Sequence, residues 1–86
     1  MVDLRLLRLL SNKSVLDVLA QISLKESRFK ELSVISNERM RSIRLAELEE
    51  FKLIERVGRK LNGKIISFYK ITENGKMVLK AVEPLK

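Results

Sequence analysis

The sequence predicts a mainly α-helical domain that carries one small β-hairpin. Three observations lead there. Apolar residues recur at helical spacing from Val2 to Phe51. Two β-branched and aromatic runs, "LIERVGRK" and "KIISFYKIT", then flank Asn62-Gly63. That dipeptide is the strongest short hairpin signal, because both residues tolerate positive φ. A last apolar helical stretch, "ENGKMVLKAV", follows the hairpin. With 86 residues the chain makes a single domain, small enough that its own core is modest and a second copy would help to bury surface.

The elements are justified in order. Residues 2–10 form a first helix with Val2, Leu6, Leu9 and Leu10 along one side, widened by Leu4 and Leu7. A helix apolar on more than one side has two neighbours, its own core and either more of the same chain or a partner chain. Ser11 and Asn12 break the pattern and cap a helix over 12–23, where Val15, Leu16, Val18, Leu19 and Ile22 recur. A short helix over 28–35 takes Ser27 as its cap and Phe29, Leu32 and Ile35 as its stripe. A longer helix over 37–51 starts at Ser36 or Asn37, with Glu38 at the positive end of its dipole. Its apolar residues are Met40, Ile43, Leu45, Leu48 and Phe51. The hairpin spans 53–72, with Tyr69 and Ile71 on its core face and Ile66 and Phe68 on the other. Thr72 caps a final helix over 73–83, in which Gly75 weakens the first turn.

Composition removes many functions. There is no Cys and no His, which excludes disulfides, thiolate nucleophiles, a His–carboxylate dyad and most zinc, copper and haem sites. No phosphate-cradling glycine loop is present. No enzyme, no metal and no cofactor is therefore expected. No apolar run approaches the roughly 20 residues of a membrane span. The leucine-rich start carries Asp3, Arg5 and Arg8, unlike a secretory signal. A cytoplasmic protein without a membrane partner is the expectation. The net charge of +7 favours polyanions, nucleic acid first.

A short helix, a tight turn and a longer helix, followed directly by a two-stranded hairpin, is the order of a winged helix-turn-helix domain. Four stretches resemble archaeal and bacterial winged-helix transcription regulators, near the arsenical-repressor-like and HxlR-like groups. "LLSNKSVLDVLAQI" resembles their opening helices and "SRFKELSVIS" their positioning helix. "LAELEEFKLIER" resembles the end of the recognition helix and the first wing strand, and "YKITENGKMVL" the second wing strand and final helix. Lys52 stands where such proteins usually have glycine, and the Cys and His of metal-sensing repressors are missing.

The resemblance implies a sequence-specific double-stranded DNA-binding regulator. Its recognition helix would enter the major groove by its N-terminal part. Asn37, Arg39, Arg41, Ser42 and Arg44 are the candidate base and phosphate contacts there. Arginine suits both targets, since its fork matches guanine O6 and N7 or a phosphate. Two registers compete: counted back from Leu48, Arg41 falls near a core position, and counted forward from Ser36, Met40 does. Ordinary ion pairs, Arg44 with Glu47 and Arg41 with Glu38, are the plainer account of the same charges. The hairpin favours DNA: from Val57 to Lys70 there are four basic residues and no acidic ones. Arg59, Lys60, Asn62 and Lys64 are the candidate wing contacts, on the adjacent backbone or minor groove. Arg28 and Lys30 are secondary phosphate contacts. A homodimer is expected to read a palindrome with half-sites about 10 bp apart. Its interface would use Val2, Leu6, Leu9, Met77, Val78 and Val82, although these stripes serve equally as intrachain core. The alternatives are a weakly specific architectural nucleic-acid binder and a winged-helix module that binds an acidic protein.

Overall fold

The computed structural model describes residues 4–82. Four α-helices and one antiparallel hairpin follow one another: α1 (Leu4–Leu10), α2 (Lys13–Leu24), α3 (Glu38–Glu50), β1 (Ile54–Leu61), β2 (Lys64–Ile71) and α4 (Glu73–Val82). The helical starts predicted from polar residues are formed as such. Asn12 Oδ1 accepts from the Ser14 N–H at 2.9 Å and the Val15 N–H at 3.4 Å. Asn37 Oδ1 accepts from the Met40 N–H at 3.0 Å. Thr72 Oγ1 accepts from the Gly75 N–H at 3.0 Å and donates to the Lys52 carbonyl at 2.6 Å. Each satisfies donors that a helix start leaves unpaired.

The segment predicted as a helix over 28–35 is corrected. Only one 3₁₀ turn forms, Phe29–Glu31. The Glu31 carboxylate accepts from the Arg28 N–H at 2.7 Å, and the chain then leaves the helical path. Ser33, Val34 and Ser36 are poor helix formers in so short a run. Leu32 and Ile35 are nonetheless buried. Ser27, expected as a cap, instead pairs with Tyr69 as an isolated bridge, with N···O distances of 3.1 and 2.7 Å. It gives the hairpin one residue of a third strand.

The core is built from Leu9 of α1, Val15, Val18, Leu19 and Ile22 of α2, Leu32 and Ile35 of the turn, and Leu45 and Leu48 of α3. Leu53, Ile54, Tyr69, Ile71 and Leu79 close it from the hairpin and α4. Tyr69 and Ile71 thus occupy the core face of β2, as their alternation predicts.

Helix α3 ends in a Schellman motif. The Leu53 N–H donates to the Leu48 carbonyl at 3.0 Å and the Lys52 N–H to the Glu49 carbonyl at 2.9 Å. Lys52 supplies the left-handed residue, with φ of 60°, where glycine is ordinarily favoured. A side chain in that conformation costs roughly 1–2 kcal/mol. Lys52→Gly is therefore expected to raise stability by about 0.5–1 kcal/mol in urea unfolding, part of the relief being offset by the entropy of glycine in the unfolded chain.

The strands pair in register from Ile54↔Ile71 to Leu61↔Lys64. Asn62 and Gly63 both hold positive φ, 51° and 78°, the geometry of a type I′ turn. Gly75 has a different task. A Cβ there would lie 2.1 Å from the Leu53 carbonyl oxygen and 2.6 Å from Ile71 Cγ1. The weak first turn of α4 is the condition for its close approach to the start of β1. Gly75→Ala is expected to cost about 2 kcal/mol, through a forced shift of α4, measurable as a lower urea midpoint at unchanged m-value.

Candidate nucleic-acid interface

The side of α3 that faces the core decides what the other side offers. Leu45 and Leu48 are buried, and Arg41, four residues before Leu45, is buried with them at 5% exposure. Arg41 is thereby removed from the predicted contact set. Its Nε donates to the Ile35 carbonyl at 2.8 Å, Nη1 to the Phe29 carbonyl at 3.1 Å and Nη2 to the Ser36 carbonyl at 3.4 Å. Its guanidinium lies 4.8 Å from the Phe29 ring centroid. No carboxylate is among these partners, so the expected Arg41–Glu38 pair is replaced by carbonyls of the turn before α3. The fork geometry makes this possible, since five N–H donors point outward in one plane.

With 41, 45 and 48 inward, a rotation of 100° per residue puts 39, 43 and 46 outward and 42 on the flank. Arg39, Ser42, Ile43 and Ala46 are all exposed. Met40, a core position only in the register counted from Ser36, is 36% exposed, and Ile43 is 40% exposed. The register counted back from Leu48 is the one the chain adopts. Among the described residues Arg39 makes no ion pair. Asn37 spends its Oδ1 on the cap and is otherwise exposed. Arg44 is half-buried and donates to Glu47 at 2.7 Å, as the plainer reading held.

The acidic half of α3 is an anchoring surface. Glu47 pairs with Arg44, Glu49 with Arg56 of β1 at 3.0 Å, and Glu50 with Arg5 of α1. Arg5 also lies over the Phe51 ring. Glu49 and Glu50 tie α3 to β1 and α1, Glu47 pairs within the helix, and of the basic half Arg39 is left outward. Individually such partly exposed pairs are worth about 0–1 kcal/mol.

On the hairpin, Lys60, Asn62 and Lys64 are exposed around the turn, and neither lysine makes an ion pair among the described residues. Arg59 is held from the body: its Nε and Nη2 reach the two Glu26 carboxylate oxygens at 3.1 and 2.5 Å. The Arg59 hydrogen bond, assisted by its charge, keeps the Glu26 carboxyl below its usual range. The predicted surface thus contains a carboxylate that sequence spacing did not reveal, 33 residues away. Arg28 is half-buried with its Nε 3.9 Å from Glu31, and Lys30 is exposed. A cleft of about 300 Å³ opens where the starts of α2 and α3 meet, lined by Asn12, Ser14, Val34, Asn37, Met40 and Arg44 among others.

The predicted dimer residues are divided by the fold. Leu9 is buried in the chain's own core and Leu6 packs against that core, so both are corrected to intrachain roles. Val2 lies outside the described residues. Val78 packs on the core and Val82 is half-buried, while Met77 is 67% exposed. On α1 the outward leucines are Leu4 at 73% and Leu7 at 50%.

No helix among the described residues is long and apolar enough to cross a membrane. No group of three or more acidic residues that could hold a metal forms among them.

No family model and no curated protein matches the chain. Among solved structures it is similar to smu.1704 from Streptococcus mutans UA159, with a TM-score of 0.71 and 17% identity over 85% of this chain and 76% of that one. At that identity the likeness concerns the fold alone: a small, mainly helical domain with a two-stranded hairpin.

Proposed function

We propose that the protein is a sequence-specific double-stranded DNA-binding transcription regulator of the winged helix-turn-helix type, akin to the arsenical-repressor-like and HxlR-like groups. Helix α3 enters the major groove by its N-terminal half, and the hairpin lies along the adjacent backbone or minor groove. The observation that carries this reading is the charge layout of α3 and the hairpin. Arg39 projects from the outward face of α3, and Lys60 and Lys64 project from the hairpin turn, without carboxylate partners. Three of the four acids of α3, Glu47, Glu49 and Glu50, are meanwhile tied to Arg44, Arg56 and Arg5, while Glu38 is exposed in the first turn and makes no ion pair among the described residues. A second copy, docked through Leu4, Leu7 and Met77, would supply the second half-site of a palindrome.

One observation favours a second reading. Arg44 and Arg59 are both engaged by carboxylates, which lowers the free cationic charge and suits a module with weak DNA affinity or an acidic protein partner. Titration of fluorescent duplex and single-stranded DNA across a range of salt separates the readings. The regulator retains duplex near physiological salt and prefers it to single strands, with log K falling linearly in log salt. A protein-interaction module retains no duplex even at low salt.

A further inference from the structure

We propose that Ile43 reads the 5-methyl group of a thymine in the major groove, which makes it a specificity-determining residue on α3. The inference deepens the DNA-binding reading and rests on it. Burial of Arg41 turns Ile43 to the outside, where it shares the outward face with Arg39 and Ala46, with exposed Ser42 on the flank. Met40, three residues before it, is also part-exposed and extends the apolar strip.

A single exposed isoleucine on a soluble protein is ordinary. This one stands between cationic and hydroxyl side chains, on the helix half where Met40 is the only other apolar residue. That combination matches the major-groove edge of a short base sequence. Guanine presents O6 and N7 to an arginine fork, and thymine presents a methyl group to an apolar side chain. Arg39, Ile43, Ala46 and the flanking Ser42 include no amide or carboxylate, so the usual partners of adenine and cytosine lie only at the helix start, in Asn37 and Glu38. Residues 39 and 43 are separated by about 6 Å along a helix. At about 3.4 Å per base pair, a helix lying along the groove places the guanine and the thymine about two base pairs apart.

The test replaces thymines one at a time by deoxyuridine in the duplex that the protein selects from a random pool. This removes the methyl group and keeps base pairing. One thymine per half-site is expected to weaken wild-type binding by about three- to fivefold when demethylated, the worth of one buried methyl group. The loss should vanish in Ile43→Ser and in Ile43→Asn, whose side chains offer no methyl group to the thymine and whose folding is checked by circular dichroism. The two variants are on an exposed position, and the scan on wild-type protein needs neither. Uniform tolerance of deoxyuridine, with duplex binding intact, overturns the role of Ile43 and leaves the DNA-binding reading standing. A methyl effect of equal size in wild type and both variants assigns the contact to another residue and overturns it as well. So does a retained pool without any enriched sequence. Failure to bind any duplex removes the DNA-binding reading itself, and the role of Ile43 with it.

Discussion

Arg41→Ala is expected to lower the free energy of unfolding by about 3–4 kcal/mol, with no specific effect on DNA contacts. The side chain closes three carbonyls, of Phe29, Ile35 and Ser36, and stacks on the Phe29 ring. Removing it takes the donor from the Ile35 and Ser36 carbonyls, at about 1–3 kcal/mol for each left unpaired away from water, and opens a cavity beside Leu45; the Phe29 carbonyl keeps the Leu32 N–H at 3.2 Å. In a domain of this size each kcal/mol is worth roughly 4–8 °C, so the midpoint should fall by about 12–30 °C. Arg41→Lys should rescue little. An ammonium on a flexible stem cannot present a planar fork to three carbonyls or stack on the ring. Urea unfolding and duplex titration on the same proteins decide the matter. Wild-type stability together with lost binding would mean that Arg41 faces the duplex after all.

Lys60→Ala with Lys64→Ala is expected to weaken duplex binding by roughly ten- to thirtyfold near physiological salt and to flatten the slope of log K against log salt by about two units. Both ammonium groups sit at the hairpin turn, exposed and without an ion pair among the described residues. They are placed to release counterions from phosphate. The loss should be similar for preferred and unrelated sequences, since phosphate contacts carry no sequence information directly. Stability should change little, because neither residue packs on the core. An unchanged slope would place the duplex elsewhere on the protein.

The same two regions show where the sequence was legible. The hairpin was readable because Asn62-Gly63 fixes both turn and register through a local backbone preference. Asn12, Asn37 and Thr72 were readable as caps for the same reason: each acts within three residues of itself. Arg41 was undecidable by pattern. An arginine on a core face contradicts hydrophobic periodicity, and its burial depends on carbonyls that point inward only once residues 29–36 have failed to continue as a helix. Spacing does not show that failure, since Phe29, Leu32 and Ile35 have helical spacing and pack on or in the core without an α-helix beneath them.

The candidate site was legible in its cations and not in their partners. Arg39, Lys60 and Lys64 emerge where the charge pattern put them. Arg59 is instead drawn to Glu26, a pairing set by the packing of the hairpin against the end of α2 and invisible to spacing. Periodicity alone leaves the side of Ile43 open, because Met40, Ile43 and Leu45 look alike to it. The discriminating signal was Leu45 with Leu48, which fixes the inward face and so turns position 43 outward. Leu6 and Leu9 stay open between a partner and the chain's own core in the sequence, because α1 is apolar on several sides. The fold spends those two on the core and leaves Leu4 and Leu7 outside.

The most direct test of a base-reading α3 beside a basic hairpin is a selection from random duplex DNA at near-physiological salt, read out by sequencing. The expected result is an enriched palindrome whose half-sites lie about 10 bp apart, each containing a guanine and a thymine about two base pairs apart. A pool that is not retained at all would contradict DNA binding and leave an acidic protein as the partner of the basic surface.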